Sequence, residues 1–122
     1  MSQHSIVHVE IPGTDPAASS KFYADLFNWK VEVDPGFDYH MFQADSGPAG
    51  AFVKAGESHM GYKVGEVLIY VSTDDIDATL TRAETLGGKT LTPKTEIPSV
   101  GWFGIFADPA GNRIALFTNA PR

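Results

Sequence analysis

Phe42-Gln43-Ala44-Asp45-Ser46-Gly47 in the first half of the chain and Ile105-Phe106-Ala107-Asp108-Pro109-Ala110-Gly111 in the second follow one pattern. Each is a strand-like apolar segment that ends in Ala-Asp and a Gly-bearing turn. Each precedes a further strand-like run, Ala49 to Ala55 and Arg113 to Thr118. Hairpin turns use Asp and Gly for reasons of local backbone chemistry, so the match by itself has a bland explanation. The order and spacing of the segments around it favour an internal duplication.

Upstream of the first copy, Ser5 to Ile11 reads as a half-buried strand, broken by Pro12-Gly13-Thr14. Asp15 is placed to cap a helix, and Pro16 suits its first turn, where a missing N–H costs nothing. Phe22, Tyr23, Leu26 and Phe27 form one apolar side of that helix, with Lys21 and Asp25 pointing outward. Asn28 ends it, because Asn tolerates the left-handed conformation found there. Trp29 to Val33, Tyr39 to Ala44 and Ala49 to Ala55 are three further strands, separated by turns at Asp34-Pro35-Gly36 and Asp45-Ser46-Gly47-Pro48.

Gly56 to Gly65 is richer in Gly and polar residues and reads as a connecting loop. Then the pattern restarts. Val67 to Ser72 is a strand, and Asp74 or Asp75 caps a helix carrying Ile76, Leu80, Ala83 and Leu86 at helical spacing. Gly87-Gly88 closes that helix, and Thr90 to Thr92, Gly101 to Ala107 and Arg113 to Thr118 are strands. Two βαβββ modules, about residues 1–56 and 65–120, make one α+β domain of 122 residues. With 43% of them hydrophobic, the chain can bury a core.

Nine basic and fifteen acidic side chains give a formal charge of −6, with Lys and Arg scattered singly, which disfavours a nucleic-acid partner. Cysteine is absent, so disulfides, thiolate nucleophiles and zinc ribbons fall away together. Neither a secretory leader nor an apolar run of membrane-spanning length is visible, which gives the expectation of a soluble cytoplasmic protein without membrane partners. His4, His40 and His59 have no second ligand at metal-site spacing and read as surface or loop residues.

Three stretches carry a family resemblance: Val7-His8-Val9-Glu10-Ile11-Pro12, then Phe22-Tyr23 with Leu26-Phe27-Asn28-Trp29, and Phe106-Ala107-Asp108-Pro109-Ala110-Gly111-Asn112-Arg113-Ile114. In that order they resemble the vicinal-oxygen-chelate superfamily of glyoxalases, bleomycin-resistance proteins and extradiol dioxygenases. The similarity is to its small bacterial branch related to lactoylglutathione lyase. The resemblance implies that each module curls into half a barrel around a shared cavity, that the chain forms a homodimer, and that a small organic molecule binds in the cavity.

Metal-using relatives place one His, Glu or Gln ligand on each of four cavity strands. His8, seven residues before Asp15, matches the first position, and Glu66 falls near the third. The remaining two fall near Gly50 or Ala51 and at Ala115, which offer no side-chain donor. The expectation is therefore no resident cofactor, with at most weak divalent binding through His8 and Glu66.

Strand parity puts His8 and Glu10 on one face of the first strand, where an imidazole and a carboxylate could serve as acid and base or simply hydrogen-bond. Glu66, Leu68 and Tyr70 share a face of a second strand by the same parity, as do Ala115 and Phe117. Phe52, Glu66, Leu68, Tyr70, Trp102 and Phe117 are the candidate ligand-lining residues, although an aromatic in a sheet is more often core. Two functions fit: a lyase or isomerase working by proton transfer at His8 and Glu10, or non-catalytic sequestration of an antibiotic or toxic compound.

Overall fold

A computed structural model describes residues 4–34, 39–56 and 61–120. It has two compact units, one of residues 8–68 and one of residues 69–120 together with the N-terminal residues 4–7. The turn expected at Pro35-Gly36, part of the loop expected after Gly56, and His59 lie outside the described residues.

In the first unit the elements are β1 (Ile6–Gly13, whose first two residues belong to the other unit), α1 (Pro16–Phe27), β2 (Lys30–Asp34), β3 (Tyr39–Gln43) and β4 (Ala49–Lys54). The strands lie in the order β2-β3-β4-β1. β2, β3 and β4 pair antiparallel, and β1 pairs parallel with β4, with Glu10 opposite Ala51 and Ile11 opposite Phe52. The second unit repeats this with β5 (Leu68–Ser72, whose first residue belongs to the other unit), α2 (Ile76–Thr85), β6 (Lys89–Ile97), β7 (Gly101–Ala107) and β8 (Arg113–Asn119) in the order β5-β8-β7-β6. The duplicated βαβββ pattern and the α+β class are thus as the sequence implies.

Capping chemistry sets both helices. The Asp15 carboxylate accepts from the Ala17 and Ala18 N–H groups at 3.1 and 3.3 Å, and Asn28 takes the left-handed conformation with its N–H on the Ala24 carbonyl at 2.8 Å. Of the two candidate caps for α2, Asp75 is the one used, and it accepts from the Ala78 N–H at 3.0 Å. Gly87, at φ 103°, then lets the chain turn so that the Gly88 N–H reaches the Ala83 carbonyl.

α1 sits on its sheet through Pro16, Ser20 and Tyr23, spaced i, i+4, i+7. Tyr23 stacks on Phe52 and Trp29, with ring centroids 5.2 and 5.7 Å away, and Trp29 stacks on Phe42 at 4.6 Å. The apolar side expected from Phe22, Leu26, Tyr23 and Phe27 is therefore divided. Phe22 and Leu26 lie beside the contact stripe, and Phe27 lies at the helix end against Trp29 at 5.2 Å. All three stay more than half exposed. In the second unit Ile76 and Leu80 of α2 pack on Leu116, with Val71, Trp102 and Phe106 around them.

Three further expectations are corrected. Pro12 and Gly13 do not break β1: both pair with β4, since proline forfeits a donor yet keeps an extended backbone. β6 runs nine residues instead of three and passes through Pro93. It lies at the end of its sheet, where a lost N–H and two register shifts are tolerated. His40 is not a surface residue: it is buried on β3, opposite Phe52 on the helix-facing side.

Candidate functional site

The register of the first unit decides which side chains meet. Phe42, Phe52 and Gly50 face α1, and no side chain fits at Gly50, where a Cβ would run into the Val9 carbonyl and the Phe42 ring. Alternation then places His8, Glu10, Ala49, Ala51, Met41 and Tyr39 on the opposite face. Ala51, fully buried beside Glu10, is small enough to leave room for that carboxylate and its partners.

Glu10 is 3% exposed, and its two oxygens take separate hydroxyls. Tyr39 donates to Oε2 at 2.7 Å, and Tyr62, from the segment between β4 and β5, donates to Oε1 at 2.6 Å. His8 Nε2 lies 2.8 Å from the Tyr39 hydroxyl and 3.5 Å from Glu10 Oε2. Burial pushes the Glu10 carboxyl up. The hydrogen bonds from His8, Tyr62 and Tyr39, with the charge of His8, outweigh that and hold it below the usual carboxylate value. The Tyr39 phenol moves the other way, raised by burial and then by the negative charge of Glu10 and the bond to it, so it stays a neutral donor. The result is an ionised, buried carboxylate with both oxygens bonded, next to a partly exposed imidazole.

The residues singled out from the sequence are thus sorted. His8 and Glu10 come together as expected. Phe52 and Trp102, expected to line the cavity, lie on the helix-facing sides of their sheets: Phe52 under Tyr23, and Trp102 against the α2 core with Lys94 Nζ 5.2 Å above its ring. Tyr70 pairs with Ala115 and Ser72 with Phe117, which puts Tyr70 and Phe117 on the sheet face away from α2. Glu66 stands exposed in a turn before β5, its N–H on the Lys63 carbonyl. Leu68, buried at the first position of β5, stands seven residues before Asp75, as His8 stands before Asp15.

The four-ligand metal centre weighed from the resemblance does not fit these residues. Leu68, Ala51 and Ala115 have no donor, His8 Nε2 is engaged by Tyr39, and among the described residues no three His, Cys, Asp or Glu side chains gather. Nor is any helix among them long and apolar enough to cross a membrane. Tyr39 and Tyr62 were not singled out from the sequence. Tyr39 needs the β1–β4–β3 register to be placed beside Glu10, and Tyr62 sits in a stretch without periodicity, so no local signal marked it.

Residues 5–116 match the family described as the Glyoxalase/Bleomycin resistance protein/Dioxygenase superfamily. The chain belongs to this superfamily. Among curated members of similar sequence, the anthracycline biosynthesis protein DnrV of Streptomyces peucetius is 32% identical over 88% of this chain. The match covers 44% of that protein, so the chain spans less than half its length. A glyoxylase-like domain-containing protein of Didymella fabae is 31% identical, with 90% of each chain covered. Methylmalonyl-CoA epimerase from Mycobacterium tuberculosis has a similar fold, with a TM-score of 0.69 over 99% of this chain and 92% of that one at 18% identity. At that identity the likeness within the superfamily is one of fold alone.

Proposed function

We propose that this glyoxalase-superfamily chain binds a small organic molecule on the sheet face opposite α1 and moves a proton at His8, as an isomerase or lyase without a metal step. The observation that supports this reading is the Glu10 network. A carboxylate that is buried, ionised and bonded to two phenols is a poor base but a fixed negative charge, and it lies 3.5 Å from an imidazole that keeps partial solvent access. Such an arrangement orients and supports a proton-transfer group. Likeness to a protein named for anthracycline biosynthesis makes an anthracycline the first ligand to test.

The same network favours a second reading, sequestration without turnover, because Glu10, one of the two candidate acid–base groups, is held in the weaker-base state. Equilibrium binding and turnover of an anthracycline by wild type and His8→Ala separate the two. Turnover that disappears in His8→Ala supports the enzyme, and binding without turnover that survives the substitution supports sequestration. Absence of anthracycline binding refutes the anthracycline as ligand in both readings. A cytoplasmic homodimer belongs to the same proposal. The exposed Phe22, Leu26 and Phe27 of α1 support association with a second copy, and light scattering on the purified chain measures it.

A further inference from the structure

A neutral imidazole carries its proton on one of two nitrogens, and the choice decides which atom can act as a base. At His8 the choice is imposed by neighbours. The Tyr39 hydroxyl has a single hydrogen, and it lies in the 2.7 Å bond to Glu10 Oε2. A hydroxyl so committed can only accept from His8 Nε2, 2.8 Å away. The second oxygen near Nε2, Glu10 Oε2 at 3.5 Å, is also an acceptor. A nitrogen lone pair at that position would face two oxygen lone pairs, whereas an N–H donates to the nearer oxygen, that of Tyr39.

We infer that Tyr39 is a positioning residue, whose hydroxyl relays the charge of Glu10 to His8 and holds the imidazole in its Nε2–H form with the basic lone pair on Nδ1. Reversing the chain of bonds would need Glu10 to donate, and its depressed pKa keeps it an acceptor. Tyr62 has a different task. It occupies Oε1, so the direction of the Tyr39 hydroxyl is set at Oε2 alone. If His8 is the proton-transfer group, a consequence that rests on the function proposed above, then Nδ1 is the atom that takes the proton.

The test is long-range ¹H–¹⁵N correlation of the His8 ring in the full labelled chain, at a pH where the imidazole is neutral. The wild type should show Nε2 as the protonated nitrogen and Nδ1 as the bare one. Tyr39→Phe should move both signals toward the averaged values of free histidine, because Glu10 Oε2 at 3.5 Å is too distant to hold Nε2–H by itself, and Tyr62→Phe should leave them in place. A wild-type ring protonated on Nδ1 overturns the inference, as does a Tyr39→Phe ring identical to wild type. Should Tyr39→Phe not fold, the wild-type spectrum still decides between the two forms. Ligand binding is measured separately, so failure of the proposed function and failure of this inference are distinguishable.

Discussion

Replacing Tyr62 by Phe removes one hydroxyl and keeps the ring, which isolates the hydrogen bond to Glu10 Oε1. A hydrogen bond to an ionised group contributes about 1.5–3 kcal/mol. Tyr39 and His8 still serve the other oxygen, so the carboxylate is not orphaned, and a loss of about 2 kcal/mol is expected at pH 7. For a chain of this length about 4 °C in Tm accompanies each kcal/mol, which puts the melting temperature down by roughly 8 °C. The pH dependence adds a second signature. The folded pKa of Glu10 lies below its ordinary value of 4.5, so its ionised form stabilises the fold above that pH, and the contribution is lost as pH falls through the folded pKa. Removing Tyr62 takes away one of the causes of the depression, so the acid limb of the stability curve moves to higher pH. Below the folded pKa the bond to Tyr62 is one between neutral groups, and the gap between wild type and variant should narrow. Thermal unfolding followed by circular dichroism from pH 3 to pH 8 measures both effects. A variant within about 0.5 kcal/mol of wild type at pH 7, or a gap that does not narrow in acid, would refute the account of Glu10.

Gly50→Ala should cost about 3 kcal/mol or prevent folding, because its Cβ meets the Val9 carbonyl of a paired strand, which cannot move aside; urea unfolding reads this directly. Asp15→Ala should cost about 1 kcal/mol through the lost cap. Lys21→Ala, by contrast, breaks only a solvent-exposed pair with Asp25 and should leave the urea midpoint unchanged. Calorimetric titration with nickel or zinc should show no tight stoichiometric binding, since the matching positions hold Leu68, Ala51 and Ala115; a tight one-to-one complex would contradict the reading of the donor set.

The fold was legible because duplication, capping and turn chemistry all act locally. Asp15 before Pro16, Asp75 before Ile76, and Gly87 after the second helix each fix a boundary by satisfying backbone groups within a few residues. The pairing of His8 with Glu10 was legible for the same reason, since parity along one strand needs no knowledge of any other. What stayed hidden depends on register between strands. Phe52 could face either way until its partners His40 and Ile11 are known. Trp102 likewise needs Thr118 and α2 to place it. Long β6 was hidden behind Pro93, which local rules treat as a stop although an end strand accommodates it. Burial of His40, and the exposure of Phe22 and Leu26, follow from where α1 lands, a tertiary fact that apolar patterning does not contain.

The two halves are alike in frame and unlike in chemistry, and that contrast limits where the function can reside. Counted back from the caps, Glu10 corresponds to Tyr70 and His8 to Leu68, while Ala51 and Ala115 occupy equivalent places opposite Glu10 and Tyr70. The small residue that makes room on the sheet is present in both units, but only the first fills that room with a carboxylate, two phenols and an imidazole. At the positions matching His8 and Ala51, the second βαβββ repeat holds Leu68 and Ala115, which have no donor for an ion. A proton-transfer group needs only one imidazole and a fixed charge to orient it, which the first unit supplies within its own strands and the Tyr62 segment. On the function proposed above, the chemistry is therefore that of His8 and its partners in the first unit.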